Sequence, residues 1–226
     1  MKEKEYRMCS AARGGLLFLR GVPGVALGDR VVVRDHRGRK RNGQVIRSSD
    51  EIVLVPVGPL TNIALAVRKD PSIVARVKQV VLMGGSLSGG NETAVAEANI
   101  YGDPEAAKIV FSAGWPVTMV GLDVTNRTLF TRAHLAALEF RIERAEEYGI
   151  AGSAMHDPLA LAVVFDPTLV TTCCLPVDVE TRGELTRGKT VADRREGREG
   201  EPCAQVALGV EAERAIQLML ARLPDR

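Results

Sequence analysis

A chain of 226 residues, 46% hydrophobic and 26% charged with a net charge of +2, is long enough for one large domain, or for one domain and a smaller one. No run approaches the roughly 18 apolar residues of a membrane span, and the four apolar residues at 16–19 are too few for a signal-peptide core, so no membrane partner is expected and a cytoplasmic location is. The charge is uneven: residues 1–50 hold 12 Lys/Arg against 5 Asp/Glu, and the remainder holds 18 against 23. The basic stretch "RDHRGRKR" has no interleaved aromatics, which favours a solvated hairpin over a nucleic-acid contact.

The first fifty residues read as β. "GLLFLRGV", "DRVVVRD" and "GQVIRSS" are short branched or apolar runs, and "GVPG" and "DHRGRKRNG" between them are turn chemistry. A small barrel or meander is the expectation. From residue 51 the pattern changes to alternating β and α. "EIVLVPV" is a continuous apolar run, as for a strand buried on both faces. "TNIALAVRKDP" follows as a helix, with Pro71 past its end. "VKQVVLMGG" is a second buried strand. "DPEAAKIVFSAG" is a helix with Asp103 as cap, Pro104 at the first position and Gly114 beyond. "PVTMVGLDV" is a third strand, and "TRAHLAALEFRIERAEEYG" and "DPLALAVVF" are helices. "CLPVDVET", "KTVADRR" and "AQVALGV" read as an antiparallel set, and "EAERAIQLMLARL" as a closing helix. Strand–helix alternation predicts an α/β fold with a parallel sheet.

The cysteines are Cys9, Cys173, Cys174 and Cys203. None forms a C-x-x-C pair and no His lies at zinc-ligand spacing, so all four are read as free thiols in a reducing compartment.

Ligands of open α/β sheets sit beyond the carboxyl ends of the strands. That rule selects the turn at 57–59, the loop at 83–99 and the "MHD" at 155–157. The loop carries Asn91, Glu97 and Asn99 among small residues. Amides and a carboxylate there suit the hydroxyls of a sugar; the other reading is a polar solvent loop with glycine turns. It lacks a phosphate-loop pattern. "MHDPLALAV" and "IYGDPEAAKIV" share an Asp-Pro before an apolar run, which ordinary helix capping explains in both. His156 taken alone is structural or catalytic, and the residues leave both open.

"EIVLVPVGPLTNIALAVRKDP", "VVLMGGSLSGGNETAVAEANIYGDPEAAKIVFSAGWPVTMVGLDVT", "HDPLALAVVFDP" and "VDVETRGELTRGKTVADRR" resemble, in order, the inosine-uridine-preferring nucleoside hydrolases, over about residues 51–222. The resemblance implies a nucleoside-hydrolase-like parallel sheet with flanking helices, cleavage of the N-glycosidic bond of ribonucleosides by water, one bound calcium ion, and a dimer or tetramer. It matches Met83, Asn91, Glu97 and Asn99 to the ribose-contacting loop. It matches the Val57 carbonyl and the Asp157 carboxylate to calcium ligands, and His156 to the histidine near the leaving base. By the resemblance, then, Asp103 is only a cap while Asp157 is a cap position used for metal. The family's D-x-D-x-x-x-D-D motif has no counterpart here, since Asp29, Asp35 and Asp50 are isolated, and the helical stretch before "HDP" is short. Residues 4–50 resemble instead the N-terminal barrel segment of the B subunit of V/A-type rotary ATPases. The expected organisation is a partial β-barrel segment at 1–50 and a nucleoside-hydrolase-like domain at 51–226. Three functions stay open at this point: a ribonucleoside hydrolase, a non-catalytic chimeric relative that keeps a ribose-binding remnant, and an assembly module acting through the barrel segment.

Overall fold

The computed structural model describes residues 52–131, 133, 134, 152–195 and 203–222, together with the backbone of 11–13, 16–18, 30–34 and 40–44. The helix expected at 131–149 therefore lies almost wholly outside the described residues. The chain divides into two units, Met1–Ile52 and Val53–Arg226.

In the first unit, β1 (Ala11–Arg13) pairs antiparallel with β2 (Leu16–Phe18), and β3 (Arg30–Arg34) with β4 (Lys40–Gln44). β4 occupies residues read from sequence as a turn. Its register runs from Arg34 opposite Lys40 to Arg30 opposite Gln44, and the ladder of backbone bonds outweighs the polar composition of "KRNGQ".

The second unit is built on a five-stranded sheet in the order β10-β13-β7-β6-β5. Its strands are β5 (Ile52–Leu54), β6 (Val77–Met83), β7 (Val117–Val120), β10 (Val170–Leu175) and β13 (Ala204–Val210). β6 runs parallel to β7, and β7 to β13. β10 is antiparallel to β13 and closes one edge. The tail strands pair antiparallel as expected, but "AQVALGV" is also an inner strand of the main sheet, parallel to β7. Only β11 (Val177–Val179) and β12 (Thr190–Ala192) make a small antiparallel pair of their own.

Alternation along the strands divides the core into two layers, as a period of two requires. Val80 and Leu82 of β6 and Val117 and Met119 of β7 pack with Ala64 of α1 (Thr61–Lys69) and with Ala106, Ala107 and Val110 of α3 (Pro104–Phe111). Val81, Met83 and Val120 face the other way, onto Leu159, Ala160 and Val163 of α5 (His156–Phe165) and Ala215 of α6 (Ala212–Leu220). Helices cover both faces, which is why "VVLM" is apolar throughout and "VTMV" is buried along its length, its Thr118 hydroxyl taken up by Gln79 (2.7 Å). Between these elements lie two short helices, α2 (Ala98–Gly102) and α4 (Leu122–Thr125), and a second small pair, β8 (Leu129–Thr131) with β9 (Gly152–Ala154). "GLDVT", read as the end of a strand, is mostly α4: the strand stops at Val120.

Cys174 and Cys203 form a disulfide with Cα atoms 5.4 Å apart, which corrects the reading of four free thiols. The cause is the β10–β13 pairing, which sets Cys174 opposite Gln205 and Leu175 opposite Ala204, so Cys203 falls diagonally beside Cys174. A separation of 29 residues hides this from any local pattern. Cys173 is exposed and free, and Cys9 lies outside the described residues. Disulfides belong mostly to oxidising compartments, so the cysteines lend no support to the cytoplasmic reading. Among the described residues no helix is long and apolar enough to cross a membrane. Closing a loop of this length stabilises by about 3 kcal/mol in the chain-entropy account. Cys203→Ser is expected to lower the unfolding free energy by about that much in urea titrations, and reduction of the native chain should reproduce the loss.

Candidate functional site

The carboxyl ends of β5, β6 and β7 meet in one place. The Met83 N–H donates to the Pro56 carbonyl (3.0 Å), and the Gly84 N–H to the Val120 carbonyl (3.3 Å). The turns after all three strands therefore stand side by side, and Val57, 42% exposed, borders them. Beyond Met83 the chain turns through Gly84 and Gly85. Gly85 has φ +79°, and a Cβ there would lie 2.9 Å from Met119 Sδ and from Thr190 Cγ2. Only glycine fits both the angle and the space.

Glu97 organises this turn. It is 2% exposed. Its Oε2 accepts from the N–H groups of Gly85 (2.9 Å) and Ile100 (3.1 Å), and its Oε1 from that of Asn99 (3.0 Å). It is the N-cap of α2, and it also binds the strand-end glycine turn. Asn99, in the first turn of α2, donates from Nδ2 to the Met83 carbonyl (3.1 Å) and to Met83 Sδ (3.2 Å). Asn91 braces the far side of the loop by accepting from the Ala98 N–H (3.0 Å) through Oδ1.

Two further residues hold the loop. Thr190 accepts from the Ser86 N–H (2.9 Å) and donates to the Ser86 carbonyl (2.7 Å). Asp123 of α4 accepts from the N–H groups of Leu87 (2.9 Å) and Ser88 (3.1 Å) and from the Ser88 hydroxyl (2.7 Å). Neither was singled out from sequence. Asp123 would have been found had the third strand been ended at the glycine of "VGLDV", which places "LDVT" at a strand end. Thr190 has no local signal, since its partner lies 104 residues away.

α4 joins this loop to the histidine. Its first residue, Leu122, donates its N–H to the Gly85 carbonyl (2.9 Å). Its last, Thr125, places Oγ1 2.7 Å from His156 Nδ1. An unbroken set of contacts thus runs from Glu97 through Gly85 and α4 to His156, all at one end of the sheet. Met83 shares a core cluster with Leu159 and Ala160 of α5, so the loop and the start of α5 are neighbours.

The two Asp-Pro stretches differ as their helix starts show. Asp103 is the N-cap of α3: it accepts from the Ala106 N–H (3.0 Å), with Pro104 next. In α5 the helix begins one residue before its aspartate, at His156, with Met155 at the cap position and no side-chain cap bond. Asp157 is therefore not a cap, contrary to expectation. Its carboxylate is exposed at the helix start, where an anion is favoured by the helix dipole. It makes no hydrogen bond among the described residues.

Calcium takes about six to eight oxygen ligands. The chain offers the Asp157 carboxylate and the Val57 carbonyl, and among the described residues no three His, Cys, Asp or Glu side chains come together. Glu97 and Asp123 already receive N–H bonds. The described residues do not fit a calcium ion by themselves.

Sequence and structure comparisons agree on the family. The profile of the inosine-uridine preferring nucleoside hydrolases matches residues 28–217, beginning ahead of the motif stretch that starts near 51. The chain is 47% identical over 188 residues to the inosine-uridine preferring nucleoside hydrolase of Crithidia fasciculata, covering 76% of this chain and 60% of that one. It is 37% identical over 198 residues to the pyrimidine-specific ribonucleoside hydrolase RihA of Enterobacter sp. (strain 638), covering 80% and 63%. Its fold superposes with a TM-score of 0.63 on the purine-preferring ribonucleoside hydrolase from Gardnerella vaginalis, at 36% identity and covering 80% and 68%. The chain spans about 60% of the length of the curated relatives it matches. A sheet covered on both faces, a strand-end loop fastened by Glu97 and an uncapped Asp157 beside His156 accord with these matches: the chain belongs to the inosine-uridine preferring nucleoside hydrolase family.

Proposed function

We propose that the chain binds a ribonucleoside at the ends of β5, β6 and β7, in a site whose reaction class is hydrolysis of the N-glycosidic bond. The observation that carries this reading is the Glu97–Asn99–Met83 cluster and its connection through α4 to His156. Asn99 spends both Nδ2 hydrogens on Met83, which leaves Oδ1 as an acceptor. Glu97 Oε1 accepts one N–H and has lone-pair capacity for one more donor. A ribose presents neighbouring hydroxyls that can donate to both. The Asn91 Nδ2, which makes no hydrogen bond among the described residues, supplies a donor for a hydroxyl oxygen. The relatives' names differ in base, from pyrimidine-specific to purine-preferring. What they share is a ribonucleoside, so the sugar is the part of the ligand assigned to this loop.

Cleavage of a ribosyl C–N bond resembles O-glycoside cleavage in its oxocarbenium-like transition state. It needs a donor for the departing base and an activated water. His156 is the donor, its Nε2 having no hydrogen bond among the described residues. Asp157 and the Val57 carbonyl are the groups of this chain that would face a calcium ion, which would supply Lewis-acid chemistry, and two such ligands would bind it weakly.

Titration calorimetry tests the sugar assignment. Inosine and uridine are expected to bind, and hypoxanthine and uracil to give no heat at the same concentrations. Asn99→Ala should weaken inosine about tenfold, the ~1.4 kcal/mol of one hydrogen bond. Equal binding of free base and nucleoside, or no nucleoside binding at all, would overturn it.

A further inference from the structure

We propose that Thr125 is a positioning residue for His156: its hydroxyl donates to Nδ1, fixes the plane of the ring and leaves Nε2 as the nitrogen that carries hydrogen. The role follows from where a helical threonine ordinarily sends its hydroxyl. The usual partner is a carbonyl three or four residues back, and Thr128 does this with the Val124 carbonyl at 3.2 Å. Thr125 does not. Its Oγ1 lies 2.7 Å from His156 Nδ1 and has no other partner among the described residues. The residue is fully buried, so water is no substitute. A buried hydroxyl proton without an acceptor is unfavourable. The acceptor available to it is Nδ1, which must then be the unprotonated nitrogen of the neutral ring.

One consequence bears on the site. In the neutral ring so selected, Nε2 carries hydrogen, and in the protonated ring both nitrogens do. Nε2 is therefore a donor in either form. It is the nitrogen left without a hydrogen bond among the described residues, and the inference rests on its being the one offered to the departing base in the proposed ribonucleoside site. α4 is the device that brings this about. A single turn ties Leu122 to the Gly85 carbonyl at one end and His156 to Thr125 at the other, so the ring is referenced to the same turn that Glu97 holds.

The test is nitrogen NMR of the full chain labelled with 15N-histidine, at a pH well above the ordinary imidazole pKa of about 6.5 and without ligand. The chain has three histidines; His156→Gln identifies the signals. His134 is an internal reference, because the Thr131 N–H donates to its Nδ1 at 3.0 Å and so requires the Nε2–H form. His156 should match it, with a pyridine-type Nδ1 and a pyrrole-type Nε2. Thr125→Ser should keep this pattern. Thr125→Val should move both nitrogens toward the averaged shifts of two exchanging tautomers. A pyrrole-type Nδ1 in the native chain, or a Thr125→Val spectrum identical to the native one, overturns the proposal. Should Thr125→Val not fold, the native and Thr125→Ser spectra decide it. Failure of nucleoside binding with this tautomer intact would overturn the proposed function alone, and the wrong tautomer with binding intact would overturn this inference alone.

Discussion

Glu97→Ala is expected to lower the unfolding free energy by roughly 2–6 kcal/mol and to abolish nucleoside binding. The carboxylate satisfies three backbone N–H groups. The bonds from Gly85 and Ile100 are buried, and truncation leaves those donors with no replacement. Each unsatisfied buried donor costs about 1–3 kcal/mol, a large share of the roughly 5–15 kcal/mol that holds a domain folded. Glu97→Gln should be nearly as damaging. It keeps one acceptor oxygen, but its NH2 must then face an N–H. Urea unfolding of the three proteins checks this; a loss below about 1 kcal/mol for alanine would show that water or a rearranged loop takes over the donors. The test separates two readings of the loop. A merely polar, solvated loop would tolerate the change, as surface substitutions mostly do.

The second large effect concerns turnover. Among the described residues Glu97, Asp123 and Asp157 are the carboxylates on or beside the set of contacts that runs from the loop to His156. Glu97 accepts three N–H bonds, and Asp123 accepts two together with a hydroxyl. Carboxylate oxygens taken up in this way face backbone N–H groups and have little capacity left for a water. Of these three, Asp157 alone has no hydrogen bond among the described residues, and one group cannot be both the general base and the main anionic ligand of an ion. Positioned general-base catalysis is worth roughly a hundred- to ten-thousand-fold, and weak metal binding compounds its loss without simply adding to it. Assayed alone, the chain is expected to bind ribonucleoside yet hydrolyse it at least a hundredfold below the ordinary enzymatic range of about 1–1,000 per second.

Much of the fold was legible in the sequence because helices cover both faces of the sheet. A continuous apolar run such as "VVLM", short and ended by glycines, reads as a strand buried on both sides, and Pro104 with Asp103 marks a helix start by local chemistry alone. Misreadings arose where distant pairing decides. β4 is a strand because β3 lies beside it, in spite of its lysine and arginine. "AQVALGV" became an inner strand because β7 accepts it in parallel, which no nearby residue announces. The Cys174–Cys203 bond follows from that same placement. For the candidate site, the strand-end rule and a family resemblance pointed to Met83, Glu97 and Asn99, which the structure joins in one cluster. Thr125 and Asp123 were hidden by a strand drawn four residues too long. Asp157 shows the limit of local reading most clearly. It has the Asp-Pro signature of a cap, yet the helix begins at His156 and its carboxylate caps nothing.

On the proposed reading, the described residues hold the ribonucleoside-binding part of a nucleoside-hydrolase site without a group that activates water. Release of free base from inosine and from uridine, measured in millimolar calcium on chain already shown by calorimetry to bind them, tests it most directly. The predicted result is binding with release at least a hundredfold below ordinary enzymatic rates. Release at ordinary enzymatic rates, abolished by His156→Ala or Asp157→Ala, would contradict it.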